Sequence, residues 1–309
     1  MPDSPDQPHD RYFKETFSQV HIVTDFLNVY LPDELRAALD LSSLHRLPDS
    51  YTDEALSAHF ADLVFSATLG QQPIQVALLL EHKSYAEPHI HFQLNRYMHH
   101  AWQQQLEQKQ PLLPIIPIVV YHGTQRWKKQ PMHRYFQHVP DAVTPYFPAF
   151  DYVLIDLTTV TSHLPHFATD YARLTGVLLQ YSRRRRMLER ALLGIADGIN
   201  RLLTNEPGER FFKTSLLYLS YVTKLTRAQL VVIFRDVSQQ AEHYNMSLYE
   251  QLIQEGRQEG RQEGRQEGFE QALTKAVKAM ASLAMNAEAI ATALDIPVDQ
   301  VRRYMAQPD

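Results

Sequence analysis

Ile74-Gln75-Val76-Ala77-Leu78-Leu79-Leu80-Glu81-His82-Lys83 stays apolar on both faces until its last residues. A strand with that pattern belongs in the middle of a sheet covered on both sides, and its charge appears only at the carboxyl end. The run before it, Phe60-Ala61-Asp62-Leu63-Val64-Phe65-Ser66-Ala67-Thr68-Leu69, reads as a second strand, and Gly70-Gln71-Gln72-Pro73 as the turn between them. With a four-residue loop there, Leu69 faces Ile74 and Asp62 falls opposite Glu81. A slip of one residue would break that pairing.

Outward from this hairpin, Pro88 to Leu106 has helical spacing, and the Pro-punctuated stretch Pro111 to Pro117 delivers a buried strand, Ile118-Val119-Val120-Tyr121, closed by His122-Gly123. Another strand is expected at Tyr152 to Leu157. Toward the N-terminus, Asp10 caps a helix whose apolar positions Phe13, Phe17, Val20 and Val23 continue through Phe26 and Leu27 as far as Pro32. A short helix, Asp33 to Leu39, then leads through a polar loop to Phe60. Strands alternating with helices give an α/β or α+β core over residues 1–160. A helical extension follows over 161–250, with helices at Tyr171 to Tyr181, Arg185 to Leu203, Phe211 to Lys224 and Arg227 to Glu250. Residues 251–268 carry the tetrapeptide repeat Glu-Gly-Arg-Gln, and residues 269–309 form a small helical unit.

The 309 residues contain 44% hydrophobic side chains, enough for one sizeable core and a smaller module. The absence of cysteine excludes disulfides and thiol chemistry, and fits a reducing compartment such as the bacterial cytoplasm. The acidic, Pro-rich start lacks the features of a secretory signal, and no apolar run is long enough for a membrane span. A net charge of −5 provides no global field for nucleic acid, so such binding would rest on local patches.

Two carboxylates opposed across a strand pair repel one another unless something compensates. A hard divalent cation does so: Asp62 and Glu81 are therefore the candidate metal ligands, with Mg²⁺ first and Mn²⁺ or Ca²⁺ as alternatives. Side chains alternate along a strand, so Lys83 lies on the face of Glu81. A metal there polarises a phosphodiester and acidifies a bound water, while the ammonium positions that water or stabilises developing charge. A surface salt bridge at the strand end is the bland alternative. Downstream, Gln93 and Tyr97 sit at i and i+4 on one helix face, with Arg96 one step round.

The order Asp62, Glu81-x-Lys83, Gln93-x-x-x-Tyr97 resembles the PD-(D/E)XK nucleases that carry a Gln-x-x-x-Tyr helix beside the active site. A narrower resemblance rests on His9-Asp10-x-x-Phe13-Lys14, Leu31-Pro32-x-Glu34-Leu35, Tyr51-Thr52-Asp53-Glu54, Ala61-Asp62-Leu63-Val64-Phe65, Leu80-Glu81-His82-Lys83-Ser84, Arg96-Tyr97 and Tyr121-His122-Gly123. These are similar to the Rpn (recombination-promoting nuclease) family, also labelled YhgA-like transposases, over about residues 9–250. The resemblance implies a restriction-endonuclease-like core, with a mixed central sheet flanked by helices. It also implies a Mg²⁺-dependent DNA endonuclease linked to recombination or mobile elements, with Asp62, Glu81 and Lys83 catalytic and Gln93 and Tyr97 in support. The rival reading is a nuclease-fold module that binds DNA or protein without cutting. Asp156 fits a family acidic position or a strand-end cap, and Glu15 an extra ligand or an exposed helical residue.

Among the fifteen histidines, His89, His91, His99 and His100 lack the i, i+4 spacing of helical metal ligands. No phosphate-binding Gly-rich loop, nucleophile elbow or HExxH motif occurs. Arg183-Arg184-Arg185-Arg186, with Lys128-Lys129 and Arg96, is either a phosphate-contacting patch or a solvated surface. The repeat makes a poor lone helix, because like charges recur at i, i+4 and each glycine costs about 1 kcal/mol relative to alanine. It is therefore either a flexible linker or a helix stabilised by self-association, which makes a homodimer or higher homo-oligomer through residues 251–309 an expectation. Asn286 to Val301 looks like a small helix-turn-helix with Ile290, Leu294 and Val301 facing inward.

Overall fold

Leu39–Arg46 (β1), Leu63–Leu69 (β2), Gln72–Lys83 (β3), Ile115–Tyr121 (β4) and Val153–Asp156 (β5) form one mixed sheet in the order β1-β2-β3-β4-β5. The first three strands are antiparallel, and β4 and β5 run parallel to β3. The computed structural model describes residues 8–47, 63–70, 72–136, 140–159, 166–223 and 225–306; for 72–82 and most of 251–267 the backbone alone is described. At the level of class this is the mixed α+β protein expected, with β3 central and helix α4 (Ile90–Glu107) in the crossover to β4.

The β2–β3 hairpin reaches the expected register by an unexpected route. Leu63 pairs with Leu80, Val64 with Leu79, and so on to Thr68 with Gln75. The turn, however, is tighter than four residues: Leu69 pairs with Gln72, and the ladder shifts between Thr68 and Leu69. Gly70, at φ +57°, supplies the left-handed backbone that a two-residue hairpin turn requires. Pro73 and Ile74 are then extra residues on the β3 side, a bulge at the point where Pro73 has no N–H to give. A short turn plus a bulge restores the pairing that a longer loop would have set.

Two other expectations need correction. The first helix is two, α1 (Pro8–Phe17) and α2 (Val20–Tyr30), because Gln19 is extended (φ −86°, ψ 109°) and the Ser18 hydroxyl donates to the Lys14 carbonyl. The apolar stripe survives the break: Phe13 stacks on Phe17, and Phe26 meets Phe17 and Phe167 at 4.8 and 4.7 Å. The stretch read as a polar loop after α3 (Asp33–Ala38) contains β1, in which Leu39, Leu41 and Leu44 are buried. Its alternation is lost at an irregularity between Asp40 and His45, where the Asp40 carboxylate takes the Ser42 N–H and hydroxyl.

On one face of the sheet α4 packs Ile90, Leu94 and Tyr97 against Val119, Tyr121, Trp127 and Tyr152. Beyond β5 come α5 (Asp170–Tyr181), α6 (Arg185–Gly194), α7 (Ala196–Leu202), α8 (Glu206–Val222) and α9 (Arg227–Val237). The helix expected over Arg185 to Leu203 is interrupted at Ile195, and α9 begins with a Thr226–Gln229 capping box. Buried Asp25 ties the N-terminal helices to α5. It accepts the N–H groups of Ala168 and Thr169 and the Thr169 hydroxyl at 2.7–2.9 Å.

Compact packing divides the chain at Met246/Ser247. Helix α10 (Gln239–Ser282) carries the repeat in helical backbone. In the second unit its last turns pack Leu273 and Val277 against Ile290 and Ala291 of α11 (Ala287–Leu294) and Val301 and Tyr304 of α12 (Val298–Ala306). Asn286 caps α11, and Asp295, left-handed at φ 52°, ends it. Ile290 and Val301 are buried and Leu294 packs at the margin of this core, as the sequence pattern predicts.

Candidate functional site

Charge collects where the parallel strands end. Lys83, the last residue of β3, is only 4% exposed, with its ammonium 5.9 Å from the centre of the Tyr85 ring. A buried ammonium costs free energy unless anionic or polar groups accompany it, so its presence marks a polar interior at this strand end. The register sets Lys83 beside Tyr121 and Glu81 beside Val119. Asp62 lies outside the described residues, and Glu81 is described by its backbone.

Helix α4 brings its own pair to the same neighbourhood. Gln93 Nε2 donates to Tyr97 Oη at 2.8 Å, and the Arg96 guanidinium lies 5.8 Å from the Tyr97 ring centre. Tyr97 is buried in the cluster containing Val119 and Tyr121, the register neighbours of Glu81 and Lys83. Tyr97 thus packs on β4, the strand that runs beside β3 and Lys83.

Tyr121 is held by its hydroxyl, which donates to the Gln125 carbonyl at 2.6 Å. Burial raises its pKa. Gly123 is there because nothing larger fits: a Cβ at that position would come within 2.1 Å of Tyr121 Oη. Asp156, beside Tyr121 in the register, takes the Trp127 N–H on one oxygen and the Thr158 N–H and hydroxyl on the other. That carboxylate organises the loops at the sheet's carboxyl end. Glu15 accepts a hydrogen bond from Thr214, joining α1 to α8. Among the described residues, no group of three or more His, Asp or Glu side chains gathers as a metal-binding set.

The histidines separate into different roles. His91 is buried against Phe150 and Tyr152, with Nδ1 3.2 Å from Tyr135 Oη, and burial lowers its pKa. It is a packing residue. His122, 3% exposed, follows Tyr121 at the strand end; its backbone N–H donates to the Lys83 carbonyl and its ring lies 4.7 Å from that of His9. The meeting of His9 and His122 was not foreseen, although both stand in stretches that carried the family resemblance. Of the basic patches, Lys129 is tied to Asp151 and the Tyr152 carbonyl, both at 2.6 Å, and Arg185 pairs with Glu189. Arg183 instead contacts His9.

The family model described as "Putative transposase, YhgA-like" matches residues 7–206. The chain belongs to this family. Among curated relatives, it is 33% identical over 117 residues to "Recombination-promoting nuclease RpnC" of Escherichia coli (strain K12), covering 38% of this chain and 39% of that protein. It is 33% identical over 119 residues to "Recombination-promoting nuclease RpnD" of Escherichia coli O157:H7, covering 38% and 46%. The chain thus spans less than half the length of these two nucleases. A longer match, 26% identity over 261 residues and 81% and 82% of the two chains, is to "Inactive recombination-promoting nuclease-like protein RpnE" of strain K12. No solved structure matches. Among the described residues, no helix is long and apolar enough to cross a membrane.

Proposed function

We propose that this chain is a divalent-metal-dependent DNA endonuclease of the PD-(D/E)XK kind, acting in recombination or mobile-element chemistry. The observation that carries the reading is the register of β2 on β3. In it Leu63 pairs with Leu80, the residues next in sequence to Asp62 and Glu81, and β3 ends two residues after Glu81 in buried Lys83, which supports a cross-strand pairing of the two carboxylates. Two oxygen-donor carboxylates on adjoining strands are the donor chemistry that Mg²⁺, or Mn²⁺ or Ca²⁺ in its place, requires. The order of helix, three antiparallel strands, crossover helix and parallel strand, with Gln93 and Tyr97 on that crossover helix, supports the same reading.

In this reading Asp62 and Glu81 hold the ion, which supplies Lewis-acid stabilisation of the phosphodiester and acidifies the attacking water. Lys83 orients that water, and exclusion of solvent around it strengthens the interaction between them. Gln93 and Tyr97, locked by their mutual hydrogen bond, present a rigid edge to the scissile strand. One site cuts one strand, so cutting both requires a second copy. The helical repeat of α10 is the candidate for homo-oligomerisation through residues 251–309.

The long match to a relative named inactive favours a second reading, a nuclease-fold module that binds DNA or protein without hydrolysis. Purified protein incubated with plasmid and Mg²⁺ separates the two. The nuclease reading expects nicking that EDTA and Glu81→Ala each abolish. Nicking that survives either treatment, or metal-independent DNA binding with no nicking, overturns it.

A further inference from the structure

Several described arginines of the first unit pair with carboxylates: Arg36 with Asp33, Arg173 and Arg201 with Asp170, Arg185 with Glu189, Arg210 with Glu206, Arg235 with Asp236. Arg183 is held differently. Its Nη2 lies 3.0 Å from Nε2 of His9, and the side chain is otherwise exposed. A guanidinium can only donate, so Nε2 of His9 must be the acceptor and the proton of the neutral ring must sit on Nδ1. Nδ1 then donates to Tyr218 Oη at 2.8 Å. Tyr218 is fixed in turn, stacked on Tyr12 with ring centres 4.1 Å apart, and burial raises its pKa, keeping the hydroxyl neutral. Tyr12 is anchored by its hydroxyl to Ser215 at 3.1 Å.

The consequence is electrostatic. A carboxylate partner would position Arg183 and cancel its charge; a neutral imidazole positions it and leaves the charge whole. The cation is also close to the strand ends. The His9 ring lies 4.7 Å from that of His122, whose backbone N–H donates to the Lys83 carbonyl. Three segments widely separated in sequence meet here: the start of α1, the end of β4 and the α5–α6 junction.

We propose that Arg183 is a phosphate-binding residue for the DNA backbone beside the scissile bond, and that His9 is the residue that positions it. The proposal rests on the nuclease reading for its choice of ligand, but it concerns binding rather than hydrolysis. A guanidinium suits this role because it offers two parallel N–H donors to phosphate oxygens, and one contact from His9 leaves such an edge available.

The test is binding of a fluorescein-labelled duplex oligonucleotide to the full chain in EDTA, across a salt series, with thermal unfolding of each variant recorded. Arg183→Ala is expected to weaken binding by about fivefold to tenfold and to reduce the slope of log affinity against log salt by about one. His9→Ala should reproduce that loss. His9→Gln should restore much of it, because the amide oxygen can accept in place of Nε2, an outcome that mere packing at His9 would not give. An unchanged affinity and salt slope in a folded Arg183→Ala protein overturns the proposal; if His9→Ala fails to unfold cooperatively, Arg183→Ala decides alone. Failure of wild type to bind the duplex at all overturns the proposal together with the choice of DNA as ligand. Absence of Mg²⁺-dependent nicking, with the Arg183 effect intact, overturns the nuclease reading alone.

Discussion

The two ends of β3 obey different rules. At its start, the hairpin turns at Gly70 between paired Leu69 and Gln72, and the two surplus residues, Pro73 and Ile74, are taken up in a bulge without disturbing the pairs beyond. At its finish, the strand is held on both sides, by β2 through Leu80 and by β4 through Val119, Val120 and Tyr121, and it ends in a buried lysine. One end accommodates two extra residues while the other is held in register by strands on both sides. That difference matters because a slip of one residue turns every side chain to the opposite face.

The sharpest way to break this comparison is to shorten the strand at each end. Deleting Leu79 should shift Glu81 and Lys83 to the wrong face, abolish plasmid nicking and cost more than about 3 kcal/mol in urea unfolding. Deleting Pro73 and Ile74 together removes the bulge and leaves the register, so nicking and stability should stay near wild type, within about 1 kcal/mol. Equal damage from the two deletions would show that the ends do not differ.

A smaller effect separates function from stability at the fixed end. Lys83→Met replaces a buried ammonium by an apolar chain of similar size, so unfolding should be neutral or stabilised by about 1–4 kcal/mol. Nicking should nevertheless fall by about 10²-fold or more. A destabilised protein with normal nicking would assign Lys83 to the fold. Next comes Gly123→Ala, which forces the Tyr121 ring aside; about 1–3 kcal/mol should be lost in thermal unfolding.

The smallest effect lies away from β3 and serves as a control. Asp170 accepts two bonds from Arg201 and one from Arg173, and Arg201 foremost holds its carboxyl below the usual range. A carboxyl depressed in the folded state stabilises above its unfolded pKa, and that contribution disappears as pH falls through the folded value. Asp170→Asn should therefore cost about 1 kcal/mol at neutral pH and flatten the acid limb of the stability curve, with nicking unchanged. A cost that persists equally at acid pH would contradict the ion-pair origin.

The sequence carried the centre of the molecule well and its margins poorly. An apolar run ending in charge identified β3 as central, and a four-residue loop at Gly70 to Pro73 gave the register with β2 that the structure reaches instead by a shorter turn and a bulge. The turn was mistaken because Pro73 looks like loop chemistry, while the structure uses it in a bulge. Strand β1 was missed because Asp40 and two serines satisfy their own backbone and spoil the alternation of Leu39, Leu41 and Leu44. The helix break at Ser18–Gln19 left no trace in the apolar spacing, which runs unbroken from Phe13 to Leu27.

For the site, order along the chain was enough to nominate Gln93 and Tyr97, and a direct hydrogen bond joins them. It could not reveal that His9, His122 and Arg183 meet, since nothing local links residues 174 apart in sequence. Their motifs, His9-Asp10 and Tyr121-His122-Gly123, were visible only as family marks. The physical signal was the contact itself.

The most direct test of the account is a crystal structure of the full chain grown with Mn²⁺, with anomalous data collected at the manganese edge. The account predicts a single strong peak bridging the carboxylates of Asp62 and Glu81, with Lys83 on the same face of the sheet. Those two side chains on opposite faces, or on one face with the ion bound elsewhere, would contradict it.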